Sequence, residues 1–344
     1  MRVGQFVQFG IGGADRAAEN LIRGLLLDSS VHLTIFYNQQ SIPKLSPQWD
    51  SGIEMLSRQR NYNDLKIIKI DDLNQLNSYS LDILNTHRSG NDFWALPNFE
   101  TILFNFKIVE TNFHGRLETK ADFRIFPSRA MVKKRGIVCS HEVIPNPIRN
   151  IVTDENLRVE LGIQNKFVFG RIGRACKEVY SNVNLLAYKQ IENKNTVFVY
   201  VSPCNRARED AQKLNIKNII FLDQTVDDIR ISKIYNTFDV FCHSNSVGET
   251  FGNTIAEAMI HGKPVVSHIG EENWTQAQPE LLGEMIELFV TKDAVNAYAE
   301  KISELMEDVD YYKRVSDYLK NRADALYDYV KVSKRYVDVY KKLL

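Results

Sequence analysis

Short apolar runs rich in Val, Ile and Phe alternate along this chain with stretches whose apolar residues recur at helical spacing. Residues 3–10 (VGQFVQFG), 32–38 (HLTIFYN), 81–87 (LDILNTH), 106–114 (FKIVETNFH) and 122–128 (DFRIFPS) read as strands, with a helix over 17–27 (AAENLIRGLLL). A second series comprises 166–173 (KFVFGRIG), 196–202 (TVFVYVS), 218–223 (NIIFLD), 238–245 (FDVFCHSN) and 264–270 (PVVSHIG). Such alternation predicts parallel sheets covered by helices. From Asp293 the pattern changes to three helical segments, 294–308, 310–330 and 332–344, with no strand between them. In the last, Val332, Tyr336, Val339, Tyr340 and Leu343 share one face, with Lys334, Arg335, Lys341 and Lys342 elsewhere. That suits a terminal helix packed on the body, or a basic amphipathic contact with a membrane surface.

Between the two series lies VIPNPIRN, residues 143–150, whose two prolines force extended backbone and mark a linker. The expected division is a Rossmann-like domain at 1–145, a second at 146–325 and a C-terminal helix at 326–344 packing back on the first. A chain of 344 residues suits two domains of about 150 residues or more each. Lys plus Arg and Asp plus Glu both number 43, so no global field draws the protein to nucleic acid, and any anion site is local. The N-terminus reads as a strand entering a glycine turn rather than a signal peptide, and no apolar run reaches the roughly 20 residues that span a bilayer. Cys139, Cys176, Cys204 and Cys242 are spaced neither as zinc ligands nor as a redox pair. A reduced, cytoplasmic setting is the default expectation.

The densest chemistry lies at 244–266, SNSVGETFGNTIAEAMIHGKPVV. A strand ends in a turn bracketed by Gly248 and Gly252. A helix then begins near Asn253, turns Ile255, Ala258 and Met259 to the core, and stops at Gly262 and Pro264. The free N–H groups and positive dipole end of that helix make Thr250, Phe251, Gly252 and Asn253 an anion seat. Glu257, in the second helical turn, can accept from two adjacent hydroxyls such as a ribose presents, while Glu249 precedes the helix. For an arbitrary pair of glutamates, a solvated helix residue and a loop charge would be the plainer account. RIGRACK places Arg171, Arg174 and Lys177 at the end of a strand, where open α/β sheets bind ligands; a solvated basic loop is the alternative. In GIGGADR, residues 10–16, Gly10 and Gly12 are spaced as in a dinucleotide fingerprint, but Asp15 stands at the third glycine position. Its carboxylate would repel a pyrophosphate, which excludes a nicotinamide or flavin site there. The doublets Asp71-Asp72 and Asp227-Asp228 read as surface charge, so no metal site is expected.

The 244–266 segment resembles the Glu-x7-Glu motif of retaining glycosyltransferases of family 4, and the likeness runs through Gly248, Phe251, Gly252, Ala258, Met259, Gly262, Lys263, Pro264, Val265 and Val266. It covers most of the chain, is specific over 165–285 and weaker over 1–145. The resemblance implies an α/β fold of GT-B type, two Rossmann-like domains with parallel sheets facing a central cleft, and a helical C-terminus. It implies transfer of a sugar from a UDP- or GDP-sugar to an acceptor hydroxyl on a glycan, lipid or small molecule, with retention; phosphate neutralisation by Arg and Lys makes a metal cofactor unnecessary. Gly170, Arg171 and Lys177 then correspond to the grip on the donor diphosphate, with Arg174 as an extra cation. Gly12 and Gly13 close over the donor phosphates or the acceptor. Glu257 holds the ribose, and Glu249 orients the sugar. His114 lies near the donor sugar, with His87 the next candidate and the remaining histidines scaffold. Residues 221–240 contact the base, although Asp223-Gln224 stands where many members have glycine. Asn273, Trp274 and Gln276 are further cleft candidates, and the polar stretch from Gln39 to Leu65, a loop with a short helix, would face the acceptor. A sugar-nucleotide epimerase, a nonhydrolytic nucleotide-sugar-binding protein and a phosphorylase are the rival functions.

Overall fold

In a computed structural model, the described residues are 1–7, 12–37, 65–88, 99–117, 119–151 and 153–344. They form two compact units, Met1–Ile148 with Leu326–Leu344, and Arg149–Ala325. Apart from Leu65, the stretch expected to form an acceptor-facing loop lies outside the described residues, as does Gly10.

In the first unit, β1 (Arg2–Phe6), β2 (His32–Tyr37), β3 (Lys66–Lys69), β4 (Ile83–Arg88), β5 (Lys107–Asn112), β6 (Phe123–Phe126) and β7 (His141–Val143) form one sheet. Its order is β3-β2-β1-β4-β5-β6-β7, and every pairing is parallel. Helices α1 (Gly13–Leu25) and α2 (Arg129–Arg135) belong to the same unit. The apolar runs were legible because a parallel strand covered on both faces must be apolar nearly throughout. Two short strands departed from that signal. β3, KIIK, is a half-buried edge strand flanked by lysines, and β7 lies just before the prolines of the linker segment.

The second unit repeats the plan with β8 (Phe167–Ile172), β9 (Thr196–Val201), β10 (Ile219–Leu222), β11 (Val240–Cys242), β12 (Val265–His268) and β13 (Phe289–Val290). The order is β10-β9-β8-β11-β12-β13, again parallel. Between and after these strands run α3 (Val183–Ile191), α4 (Asn205–Lys213), α5 (Asp228–Thr237), α6 (Asn253–Ile260), α7 (Gln278–Leu282), α8 (Ala294–Glu307) and α9 (Val309–Leu326). Strand order reverses between β1 and β4 in one unit and between β8 and β11 in the other. Open α/β sheets bind their ligands beyond the carboxyl ends of the strands at such switch points.

The last helix, α10 (Tyr329–Leu343), returns to the first unit. Val332, Tyr336, Val337, Val339 and Tyr340 join Leu21, Ile22 and Leu25 of α1 in one buried cluster. Close approach is possible because Gly24 has no side chain: a Cβ there would lie 2.0 Å from Ser333 Oγ. The apolar face of α10 is thus spent on the core, which removes the basis for reading it as a membrane-binding face. Among the described residues no helix is long and apolar enough to cross a membrane.

Candidate functional site

At the switch point of the second sheet, Asn245 links two of the residues singled out at 170–177 and 244–257, Arg171 and Glu249. β8 delivers Arg171 from its carboxyl end, with only 3% of the residue exposed. Its Nη2 donates to the Ser244 carbonyl at 2.7 Å and to Asn245 Oδ1 at 2.9 Å, and Nε reaches the same carbonyl at 3.3 Å. The guanidinium also stands 5.2 Å from the Tyr200 ring centroid. Nη1 is buried without a hydrogen-bond partner, and Gly173 gives it room, since a Cβ there would lie 1.9 Å from it. A buried cation that directly contacts one carbonyl and one amide rather than a carboxylate is costly, and an anionic ligand at Nη1 would offset that cost. Arg174 and Lys177 are exposed in the loop after β8 and make no ion pair among the described residues. That loop is fastened to the turn after β11 by the Tyr180–Asn245 bridge and by the Ser246 N–H donating to Val179 O at 3.1 Å.

From β11 the chain passes through His243, Ser244 and Asn245 to Glu249. Asn245 Nδ2 donates to Glu249 Oε1, and His243 Nε2 lies 3.1 Å from the same oxygen. The other His243 nitrogen, Nδ1, is 2.8 Å from Ser267 Oγ. Glu249 is itself pinned through its backbone, whose carbonyl accepts from the Ala277 N–H at 2.9 Å. Gly248 permits this, because a Cβ there would stand 1.9 Å from the Thr275 carbonyl oxygen. Gly252 then takes φ +106°, a left-handed conformation that L side chains rarely adopt, and α6 starts at Asn253. As the spacing predicted, Ile255, Ala258 and Met259 are fully buried. Glu257 Oε2 accepts from the Tyr235 hydroxyl of α5 at 2.8 Å.

Several expected residues take other roles. Gly170 is buried within β8, where a Cβ would lie 2.2 Å from the Phe238 ring, so the absence of its side chain serves packing. Phe251 is 2% exposed, which commits its ring to the core and leaves only its backbone for an anion. Thr250 and Asn253 are half-buried beside it, and Asp223 and Gln224 are exposed after the edge strand β10. Asn273 and Trp274 are exposed, whereas Gln276 accepts the Gly270 N–H at 3.1 Å and closes its own loop. Gly12, Gly13, His87 and His114 belong to the first unit. The Gly12 N–H donates to Asp15 at 3.0 Å, so the acid at the third fingerprint position caps its own helix. His114 is exposed in a turn held by Asn112, which accepts its N–H at 3.2 Å. His87 is a core residue: burial pushes its pKa down to about 3, and Nε2 is 2.8 Å from Gln5 Oε1.

Sequence reasoning passed over Asn245, Ser267 and Tyr235, and set His243 among the scaffold histidines. The available signal was position alone, with His243 and Asn245 just after β11 and shortly before Glu249. His268, read as scaffold, is one: its Nε2 lies 3.1 Å from both Ser181 Oγ and Ser244 Oγ, and burial pushes its pKa down to about 4. In the unfolded chain this ring returns to its ordinary 6.5 and binds more protons than the folded one. Its stability contribution is therefore complete above pH 6.5 and is lost as pH falls toward about 4. Urea unfolding between pH 7 and pH 5 is expected to show a shallower acid loss in His268→Gln than in the wild type.

Comparison with known proteins bears on this unit most directly. Residues 166–308 match the family model described as Glycosyl transferases group 1. The group 1 segment contains Arg171, Lys177, Glu249 and Glu257. Spore coat protein SA of Bacillus subtilis (strain 168) is 24% identical over 201 residues, 55% of this chain and 52% of that protein. The match thus spans about half the length of that relative. Anabaena Alr3699/HepE, solved in complex with UDP and glucose, superposes with TM-score 0.74 at 16% identity, covering 99% of this chain and 100% of that one. A glycosyltransferase from Rickettsia africae gives TM-score 0.73 at 16% identity over 99% and 98% of the two chains. At such identities the likeness carries the fold: two Rossmann-like units, as in GT-B glycosyltransferases.

Proposed function

We propose that this protein is a retaining glycosyltransferase of the family 4 kind, taking a hexose or related sugar from a UDP- or GDP-sugar to an acceptor hydroxyl. The observation that carries the reading is the buried Arg171, with one unpartnered nitrogen, joined through Asn245 to Glu249 at the switch point of the second sheet. The bond from the anomeric carbon to the diphosphate oxygen breaks, and one to the acceptor oxygen forms on the same face. The acceptor proton passes to the departing phosphate oxygen. Arg171, Lys177 and the N–H groups at the start of α6 stabilise the charge that builds on the diphosphate. Glu257 receives the ribose hydroxyls, and Glu249 orients the sugar.

The deciding experiment incubates the protein with UDP-, GDP- and ADP-sugars, with and without candidate glycan, lipid and small-molecule acceptors. Acceptor-dependent release of the nucleotide is the expected result; turnover indifferent to acceptor favours an epimerase, and binding without turnover a sensor. The cations already present should make a divalent ion unnecessary, so transfer is expected to persist in excess chelator. Loss of transfer, restored by magnesium, would refute that part.

Lys177→Ala is expected to weaken UDP or GDP binding about tenfold or more by calorimetry, as the loss of a charged contact implies, with an unchanged melting temperature. For the ribose carboxylate the suitable change is Glu257→Gln, which keeps an oxygen for the Tyr235 hydroxyl and should weaken binding similarly. Unaltered affinity in both variants would refute the site.

A further inference from the structure

The carboxylate of Glu249 is loaded on one side only. Oε1 faces both the His243 ring and the Asn245 amide, whereas Oε2 has no partner among the described residues. An ionised carboxylate only accepts hydrogen bonds, so the His243 nitrogen facing it, Nε2, carries a proton. In the neutral ring Nδ1 is then an acceptor, and the Ser267 hydroxyl at 2.8 Å is placed to donate to it. Both residues are buried, His243 at 2% and Ser267 at 0% exposure, so water does not compete for these bonds. The Asn245 amide is equally fixed. Its Oδ1 accepts from Arg171 Nη2 at 2.9 Å, which leaves the nitrogen as the end that meets Glu249.

We infer that His243 is a positioning residue for Glu249: together with Asn245 it saturates Oε1, fixes the carboxylate rotamer and leaves Oε2 as the oxygen that accepts from a hydroxyl of the donor sugar. Ser267 acts one bond further back by setting the tautomer of the ring. This inference rests on the glycosyltransferase reading of Glu249. No group passes through His243, and the ring does not touch the sugar. The same arrangement explains a buried histidine whose two nitrogens meet a serine on the next strand and a functional carboxylate.

The test compares wild type, His243→Leu, His243→Gln and Ser267→Ala as full chains, in sugar transfer, in UDP binding and by 15N NMR of the imidazoles. Leucine is expected to lower kcat about 10- to 100-fold, the scale of a misplaced catalytic group, with UDP affinity unchanged. Glutamine, which restores an N–H at similar reach, should recover most of the rate, and Ser267→Ala should fall between. The wild-type ring should show the proton on Nε2. Wild-type kcat in His243→Leu, a glutamine variant no better than leucine, or a proton on Nδ1 would each overturn the inference. Should leucine unfold the unit, glutamine and Ser267→Ala carry the same comparison. A wild-type protein that transfers no sugar overturns the parent reading and the role of Oε2 with it, a result distinct from an active enzyme indifferent to His243.

Discussion

Glu249→Gln is expected to lower kcat by about 10²- to 10³-fold, the scale of removing one electrostatic contact to a transition state, while UDP affinity changes little. The substitution keeps the shape of the side chain and an oxygen that can still face His243 and Asn245. What it removes is the negative charge beside the sugar. As the bond to the diphosphate lengthens, the anomeric carbon becomes oxocarbenium-like, and a fixed carboxylate offsets that charge in the transition state more than in the ground state. The loss should therefore appear in kcat and kcat/KM together rather than as a raised KM. In the proposed assignment nucleotide binding falls instead to Arg171, Lys177 and Glu257. A fall in UDP affinity as large as the fall in kcat would refute this division of labour.

Gly170→Ala is expected to destabilise the second unit by about 3 kcal/mol, toward the upper end for overpacking a core. The new methyl would sit 2.2 Å from the ring of Phe238, which is fully buried and packs against Tyr235 and Phe241. The strand cannot retreat, since Gly170 lies between β9 and β11 and pairs with both. For a unit of this size the melting temperature should fall by roughly 6–12 °C. Combining Gly170→Ala with Phe238→Leu should cost less than the sum of the two single changes, because the smaller side chain makes room for the methyl. A Gly170→Ala protein with wild-type stability would refute the packing role.

The two α/β halves were legible because parallel strands buried on both faces leave continuous apolar runs, as in TVFVYV of β9. The helix start after Gly252 was legible because a glycine turn before good helix formers has few other outcomes. Edge elements were not: KIIK at β3 is half-exposed and short, and β13 is two residues long. In the site, Arg171 and the two glutamates stood out through motif spacing. His243 and Ser267 did not, because their meaning comes from adjacent strands β11 and β12 placing them 2.8 Å apart, 24 positions distant in sequence. The packing of Gly170 and of the Phe251 ring was hidden for the converse reason, since a motif does not distinguish a residue that meets the ligand from one that supports those that do.

The return of α10 to the first unit has a consequence for the order of synthesis. Val332, Tyr336, Val337, Val339 and Tyr340 are made after the whole of the second unit, yet they complete the cluster around α1. On the ribosome the second unit has all its residues first, while the earlier-made sheet waits with the surface around Leu21, Ile22 and Leu25 uncovered. Domains generally fold as they emerge, N-terminal first. Here the second unit has all its residues before the first does, and the core around α1 is complete only once α10 has emerged.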